Sequence, residues 1–269
     1  MIAFKRGSCM KIHQIFTANQ LRNFNYLLET KQGNIYCIDP WDAKSLSKEI
    51  ESRNGKLVSI INTHEHFDHV RGNEELVKRW GAEVWVHENA RKSIPGATRS
   101  LKAGEEIQLE EGHSLKILDT PGHTMAHLCL LYLENGAAKA IFSGDTLFNA
   151  GVGNCHNGGD PETLYETVSE QIASLPEDVL VYPGHEYLMN NLRFTLDREP
   201  GNKQASALLE KRANMPSDSN FLVTDIGQEK QINTFFRLDS LELRENLGMD
   251  KSATEKDVFL SLRQKRNHW

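Results

Sequence analysis

The stretch Ile61 to Asn73, INTHEHFDHVRGN, places three histidines and an aspartate in the six positions from His64 to His69, in a chain of 269 residues with 11 histidines in all. Imidazoles crowded with a carboxylate suit a divalent cation such as zinc, iron or manganese. A polar surface loop would show the same residues, so the case rests on partners supplied from elsewhere. Three segments supply them. LKILDT runs into Pro121-Gly122-His123, KAIFSG into Gly144-Asp145, and VLVYPG into Gly184-His185. In each, glycine follows an apolar run and a histidine or aspartate comes next. Glycine accepts positive φ and a tight turn, which aims the following side chain over the end of the sheet. Four strand ends thus direct His64, His66, Asp68, His69, His123, Asp145 and His185 towards one rim. Seven ligands exceed the needs of one ion and fit two. A His-rich site and an Asp-His site, with Asp145 between them, would hold the pair about 3.5 to 4 Å apart.

The elements that must position these groups are legible as short apolar runs ended by glycine or polar turns. NIYCIDP, LVSIINT, AEVWVH, HSLKILDTPG, HLCLLYL, KAIFSGD and VLVYPG read as strands. AKSLSKEIESRNG, ending at Gly55, NEELVKRWG and PETLYETVSEQIASL read as helices between them. Strands alternating with helices imply an α/β arrangement, sheets with helices packed outside. The buried run Leu57 to Ile61 leads directly into THEHFDH, expected to be a loop in which alternation converges His64 and His66 while Asp68 and His69 face a neighbouring point. The texture changes near residue 190. ASALLEKRA, TDIGQEKQIN, SLELRENLG and TEKDVFLSLRQKR have helical period, with Thr224 and Thr254 as expected N-caps. Two regions are therefore expected, residues 10–190 and a helical region over 191–269. Residues 1–9 read as an extension outside the fold, Met10 being a plausible start.

Composition excludes several classes. No apolar run approaches the roughly 18 to 20 residues that cross a bilayer, and the first residues lack the apolar block of a signal peptide. A cytoplasmic protein with no membrane partner is expected. Lys and Arg total 31 against 37 Asp and Glu, a net charge of −6, which disfavours nucleic acid. The basic cluster RQKRNHW reads as a solvated helix end. Cys9, Cys37, Cys129 and Cys155 form no CxxC pair and suit reduced thiols rather than a thiolate zinc site.

The ordered set HxHxDH, His, Asp, His resembles the metallo-β-lactamase superfamily. THEHFDHVRGNEEL, TPGHT, FSGDTLF, VYPGHEYLMNNLRF and NTFFR are similar to its glyoxalase II (hydroxyacylglutathione hydrolase) family, over roughly residues 11 to 245. The resemblance implies a four-layer αββα sandwich with metals at one edge and a small C-terminal helical region. It also implies a metal-dependent thioesterase acting on a hydroxyacyl-glutathione-type thioester. Two divalent ions are expected, zinc foremost with iron or manganese as alternatives. A metal-bound hydroxide would attack the carbonyl, with Asp145 bridging the ions and Asp68 either carrying a proton or serving only as a ligand.

In that family glutathione is held by a lysine and a tyrosine after GDTLF, by the tyrosine of GHEY and by two basic residues in the helical tail. Tyr187 matches the GHEY tyrosine and Arg237 the first basic residue. Asn154 and His156 stand where the lysine and first tyrosine would be, and Ser240 at the second basic position. His127 is expected to brace the site, while His13, His87 and His113 have no partner pattern. The alternative within the superfamily is a persulfide dioxygenase-like enzyme with one iron on His64, His123 and Asp145. A lactonase or β-lactamase-like hydrolase is a further one. A binding protein on a dead scaffold would have shed ligands, and all seven are present.

Overall fold

A computed structural model describes residues 10–216 and 218–269, so the expectation for residues 1–9 lies outside the described residues. The first half of the chain forms a six-stranded sheet in the order β1 (Lys11–Phe16), β2 (Phe24–Glu29), β3 (Asn34–Ile38), β4 (Lys56–Ile61), β5 (Glu83–His87) and β6 (Arg99–Leu101). Its outer face carries α1 (Ala43–Ser52) and α3 (Asn73–Trp80), and a single turn, α2 (Phe67–Val70), lies between β4 and α3. A second six-stranded sheet contains β7 (Glu106–Glu110), β8 (His113–Asp119), β9 (Leu128–Glu134), β10 (Ala137–Gly144), β13 (Leu180–Pro183) and β14 (Thr224–Asp225), in the order β14-β13-β10-β9-β8-β7. A two-residue-per-arm hairpin, β11 (Leu147–Phe148) and β12 (Gly151–Val152), leaves β10. The remaining helices are α4 (Pro161–Glu166), α5 (Leu188–Arg198), α6 (Lys203–Ala213), α7 (Ile226–Ile232), α8 (Leu241–Leu247) and α9 (Glu255–Arg266).

Successive residues of a strand face opposite sides, and here both sides are buried. Along β9, Leu128, Leu130 and Tyr132 join Tyr26, Leu28, Trp85 and Ile117 in a core between the sheets. Cys129, Leu131 and Leu133 face the other way, onto Leu164 and Phe259. Along the first sheet, Leu27, Cys37, Ile60 and Val84 pack on Leu46, Ile50 and Leu76. Helix, sheet, sheet and helix are therefore stacked as an αββα sandwich. Strands covered on two faces read as unbroken apolar runs such as LCLLYL. The tail shares the core of the second sheet, since Leu243, Val258 and Leu262 cluster with Ile141 and Val181.

Local details depart from the sequence reading in three places. Helix α1 stops at Ser52, and it is Asn54, at φ 54°, that turns the chain. Gly55 instead allows a close approach, since a Cβ there would fall 2.3 Å from Ile35 Cδ1. The run PETLYETVSEQIASL widens after α4 into π-type turns over Thr167–Ile172. Thr254 caps α9 in a capping box with Asp257, but α7 is capped by Asp225 with Gln228, and Thr224 is a strand residue.

Candidate metal centre

Beyond β4 the chain passes through buried Asn62 and Thr63, stays extended to His66 and then enters α2. The expected alternation thus serves His64 and His66 only. Asp68 and His69 reach the rim from a helical turn, where consecutive residues splay by about 100°. All seven side chains converge. His66 Nδ1 lies 3.1 Å from His64 Nε2 and 3.0 Å from His123 Nε2. His69 Nε2 lies 3.2 Å from His185 Nε2, and Asp68 Oδ2 is 3.3 and 3.4 Å from those two nitrogens. Asp145 stands between the groups, with Oδ1 3.5 Å from His69 Nε2 and Oδ2 3.4 and 3.3 Å from His123 and His185. Three sets lie close enough to share an ion: His64, His66 and His123; His64, His69 and Asp145; Asp68, His69 and His185.

The hydrogen bonds on the far sides of the rings test whether cations fit. His69 Nδ1 donates to Asp39 Oδ2 at 2.9 Å, His123 Nδ1 to Asn154 O at 2.6 Å, and His185 Nδ1 to Leu21 O at 2.8 Å. His66 uses Nε2 on Asn157 O at 3.1 Å. Thr63 Oγ1 gives its own proton to Asp39 Oδ2 at 2.6 Å, so at 3.0 Å it accepts from His64 Nδ1. Each ring therefore spends its outer nitrogen on a fixed acceptor and turns the other one inward, the orientation of a metal-ligating imidazole. Lone pairs facing each other near 3 Å repel unless positive charge lies between them. Tetrahedral ligands on bonds of about 2.0–2.1 Å stand roughly 3.3 Å apart, close to the spacings here. Asp145 Oδ1 is buried without a hydrogen-bond partner. The residues fit divalent ions.

Both carboxylates are held ionised. Burial alone would raise the Asp145 carboxyl, but His185, His69 and His123 hold it well below the usual carboxylate range. Asp68 is likewise held down against burial, by His69 and Asn23. Burial and neighbouring imidazoles push His64 and His127 well below the ordinary histidine value. Burial lowers His123 as well. Burial would lower His69 too, but Asp145 and Asp39 push it well above the ordinary value, a positive charge that a bound cation would supply in place of the proton.

Supporting residues set this geometry. His127 Nε2 accepts from Asp145 N at 3.1 Å, and its ring stacks on His64. Gly144 has φ 46°, and a Cβ there would meet His127 Nε2 at 2.6 Å. Gly184, by contrast, takes no positive φ; it lets Asp145 Oδ1 approach, to 2.4 Å from where a Cβ would stand. Asp39, at φ 50°, accepts from Thr63 N, Thr63 Oγ1 and His69. Sequence reasoning passed over it, although NIYCIDP shows the same signal, an apolar strand ending in an acid. His13, His87 and His113 are occupied elsewhere, by Glu29, Asp119 and Tyr132.

A cavity of about 230 Å³ adjoins the centre, lined by Phe148, Val152, Asn154, His156, Tyr187, Asn191, Arg263, Arg266 and Asn267. Tyr187 stacks flat on His185 with ring centroids 5.0 Å apart, and Phe148 meets both edge-on. Tyr187, Asn154 and His156 thus line one cavity. Arg237 is not among them: its guanidinium grips the buried Glu199 through contacts of 3.0 to 3.2 Å, and Ser240 Oγ donates to the same carboxylate. The cations come instead from RQKR, which is no solvated helix end. Arg263 is buried and donates to Val152 O and Gly153 O. Arg266 stacks on Phe194 and Trp269 and reaches Asn191. Their i, i+3 spacing on α9 was the available signal.

The hairpin that walls this cavity is held from the tail. Ala150, at φ 60°, donates its N–H to Glu229 Oε2 at 2.8 Å, and Thr224 and Asn233 donate to the same buried carboxylate. Burial pushes the Glu229 carboxyl up from 4.5 to about 7. A raised carboxyl costs stability as pH climbs through that interval, because folding then forces a disfavoured ionisation. Glu229→Gln should accordingly gain melting temperature relative to the wild type between pH 5 and pH 7.5. A difference that stays constant over that range would clear Glu229 as the source.

An αββα sandwich with histidines and aspartates gathered at one edge defines the metallo-β-lactamase superfamily, whose model matches residues 26–185. Residues 186–269 match the model for the hydroxyacylglutathione hydrolase C-terminus. A hydroxyacylglutathione hydrolase of Nitrosococcus oceani is 47% identical, covering 97% of this chain and 100% of that protein. The chain belongs to the hydroxyacylglutathione hydrolase family. Among solved structures, ETHE1 from Myxococcus xanthus superposes with a TM-score of 0.65 at 23% identity, covering 94% of this chain and 98% of that one. TTHA1623, solved in a di-iron-bound form, superposes with a TM-score of 0.58 at 26% identity, covering 83% and 99%. No helix among the described residues is long and apolar enough to cross a membrane.

Proposed function

We propose that this protein is a thioesterase that hydrolyses hydroxyacyl-glutathione thioesters at a pair of divalent ions. His64, His66 and His123 would hold one ion and Asp68, His69 and His185 the other, with Asp145 placed within reach of both. The observation that carries the reading is the ring set, five imidazoles each fixed from outside so that the remaining nitrogen faces the same centre. The hydrolase relatives and the di-iron-bound neighbour support it. A one-iron dioxygenase on His64, His123 and Asp145 would leave Asp68, His69 and His185 without a task.

Ions bound there supply Lewis acidity, lowering the pKa of water and stabilising negative charge on a carbonyl oxygen. The protein's own groups do the rest. Asp68, kept ionised by His69 and tied to Asn23 at 2.9 Å, suits an anionic ligand better than a proton carrier. Burial raises the Tyr187 phenol above its ordinary value, so it remains a neutral donor beside His185. Arg266 offers a cation to a carboxylate of the thiol half. The departing thiolate needs little assistance, since thiols ionise readily.

Elemental analysis paired with an assay on S-D-lactoylglutathione tests this. Two equivalents of divalent metal per chain are expected, with activity abolished by EDTA and restored by adding metal back. Full activity in metal-depleted protein would overturn the mechanism. Arg266→Ala should raise KM about tenfold with kcat little changed, the pattern for a lost charge-assisted contact made equally in ground and transition states. Arg237→Ala should leave KM alone and lower the melting temperature, because it strands Glu199 in the interior. The reverse pattern would return the substrate to Arg237.

A further inference from the structure

Among the described residues, six large apolar side chains are exposed: Leu21, Phe67, Met125, Leu180, Leu241 and Trp269. Three of them stand on the segments that carry the centre. Phe67, 68% exposed, sits between His66 and Asp68; Met125 follows His123 by two residues; Leu21 supplies the carbonyl that orients His185. Their segments are tied together. Thr124 Oγ1 donates to Glu65 Oε2 at 3.1 Å, joining the Met125 segment to that of Phe67. Asn23 Nδ2 donates to Asp68 Oδ2 at 2.9 Å, joining the Leu21 segment to it. Phe67 is also built on a support, since Trp41 meets its ring edge-on at 6.1 Å and Arg71 lies 4.6 Å over Trp41. None of the three lines the polar cavity of Tyr187 and Arg266.

Leaving a phenyl ring in water beside a reactive centre forgoes the gain from burying it. A thioester at the centre has two arms, and the guanidinium-lined cavity suits the polar thiol arm. We propose that Leu21, Phe67 and Met125 receive the other arm, and that the enzyme favours thioesters whose acyl group carries an apolar chain of several carbons. This rests on the thioesterase reading above. The reaction is unchanged: water adds to the carbonyl, the carbon–sulfur bond breaks, and a carboxylic acid and a thiol leave.

The test uses the metal-loaded full chain with S-acylglutathiones from acetyl to octanoyl, and S-D-lactoylglutathione as reference. Each methylene that meets the rim should raise kcat/KM roughly two- to fourfold. In Phe67→Ala, with metal content unchanged, the octanoyl-to-acetyl ratio of kcat/KM should fall about tenfold, and Leu21→Ser should lower it in the same direction. A flat series in an enzyme active on S-D-lactoylglutathione overturns this inference alone and releases the rim for a protein or lipid partner. So does a Phe67→Ala variant that loses activity equally at every chain length. Inertness to every thioester, the reference included, removes the thioesterase reading and this inference with it.

Discussion

Asp145→Asn is expected to lower kcat/KM on S-D-lactoylglutathione by about three orders of magnitude or more, and to leave the purified protein short of metal. The substitution is close to isosteric, so the packing around β10 survives and the loss falls on charge. Among the described residues, Asp145 is the one carboxylate within 3.5 Å of imidazoles from both groups, with His69 on one oxygen and His123 and His185 on the other. An amide there presents a single carbonyl oxygen and turns an N–H₂ towards bare imidazole nitrogens or towards the cation itself. Steady-state kinetics beside elemental analysis decide the matter. A variant with two equivalents of metal and near-normal turnover would remove Asp145 from its shared position.

Asp39→Asn should cost about 10- to 100-fold in metal affinity, with a comparable fall in activity at limiting metal. The fold should persist, because asparagine tolerates the left-handed backbone at φ 50° and can still accept from Thr63 N. What fails is what Oδ2 accepts, the contacts with His69 Nδ1 and Thr63 Oγ1. An amide N–H₂ opposite Nδ1 cannot accept its proton, so the ring is driven to the other tautomer, with N–H pointing into the centre. Asp39→Ala goes further, leaving Thr63 N, Thr63 Oγ1 and His69 Nδ1 without their acceptor. Two or more unpaired buried donors at about 1–3 kcal/mol each make a fold defect expected as well. Metal titration separates the two: if Asp39→Asn binds metal as the wild type does, Asp39 acts on stability alone.

What the residues disclose in advance follows from how local each signal is. The seven converging side chains were legible because each follows an apolar strand within a few positions, and strand ends of packed sheets share an edge. Asp39 was missed because its work is defined by Thr63 and His69, contacts that only the parallel pairing of β3 and β4 creates. Arg263 and Arg266 were missed for a similar reason. A basic run at the end of a helix looks solvated until that helix is docked on the hairpin that carries Val152 and Gly153. Arg237 stands outside the cavity for the converse reason, since NTFFR matches the family wording while the buried acid that grips it, Glu199, lies 38 residues earlier. Thr224 and Asp225 both lie in β14, and the cap falls to Asp225, which directly precedes α7. Such choices are made by tertiary pairing, which periodicity does not encode.

The two six-stranded sheets contribute unequally placed halves of one centre. His64, His66, Asp68 and His69 follow the first, while His123, Asp145 and His185 follow strands of the second. A cation bound by both halves resists their separation, much as a rivet does, and its off-rate becomes tied to how often the sandwich parts. Metal exchange in this protein should therefore track global opening, and chelators should shorten its lifetime against proteases well before they change its spectrum.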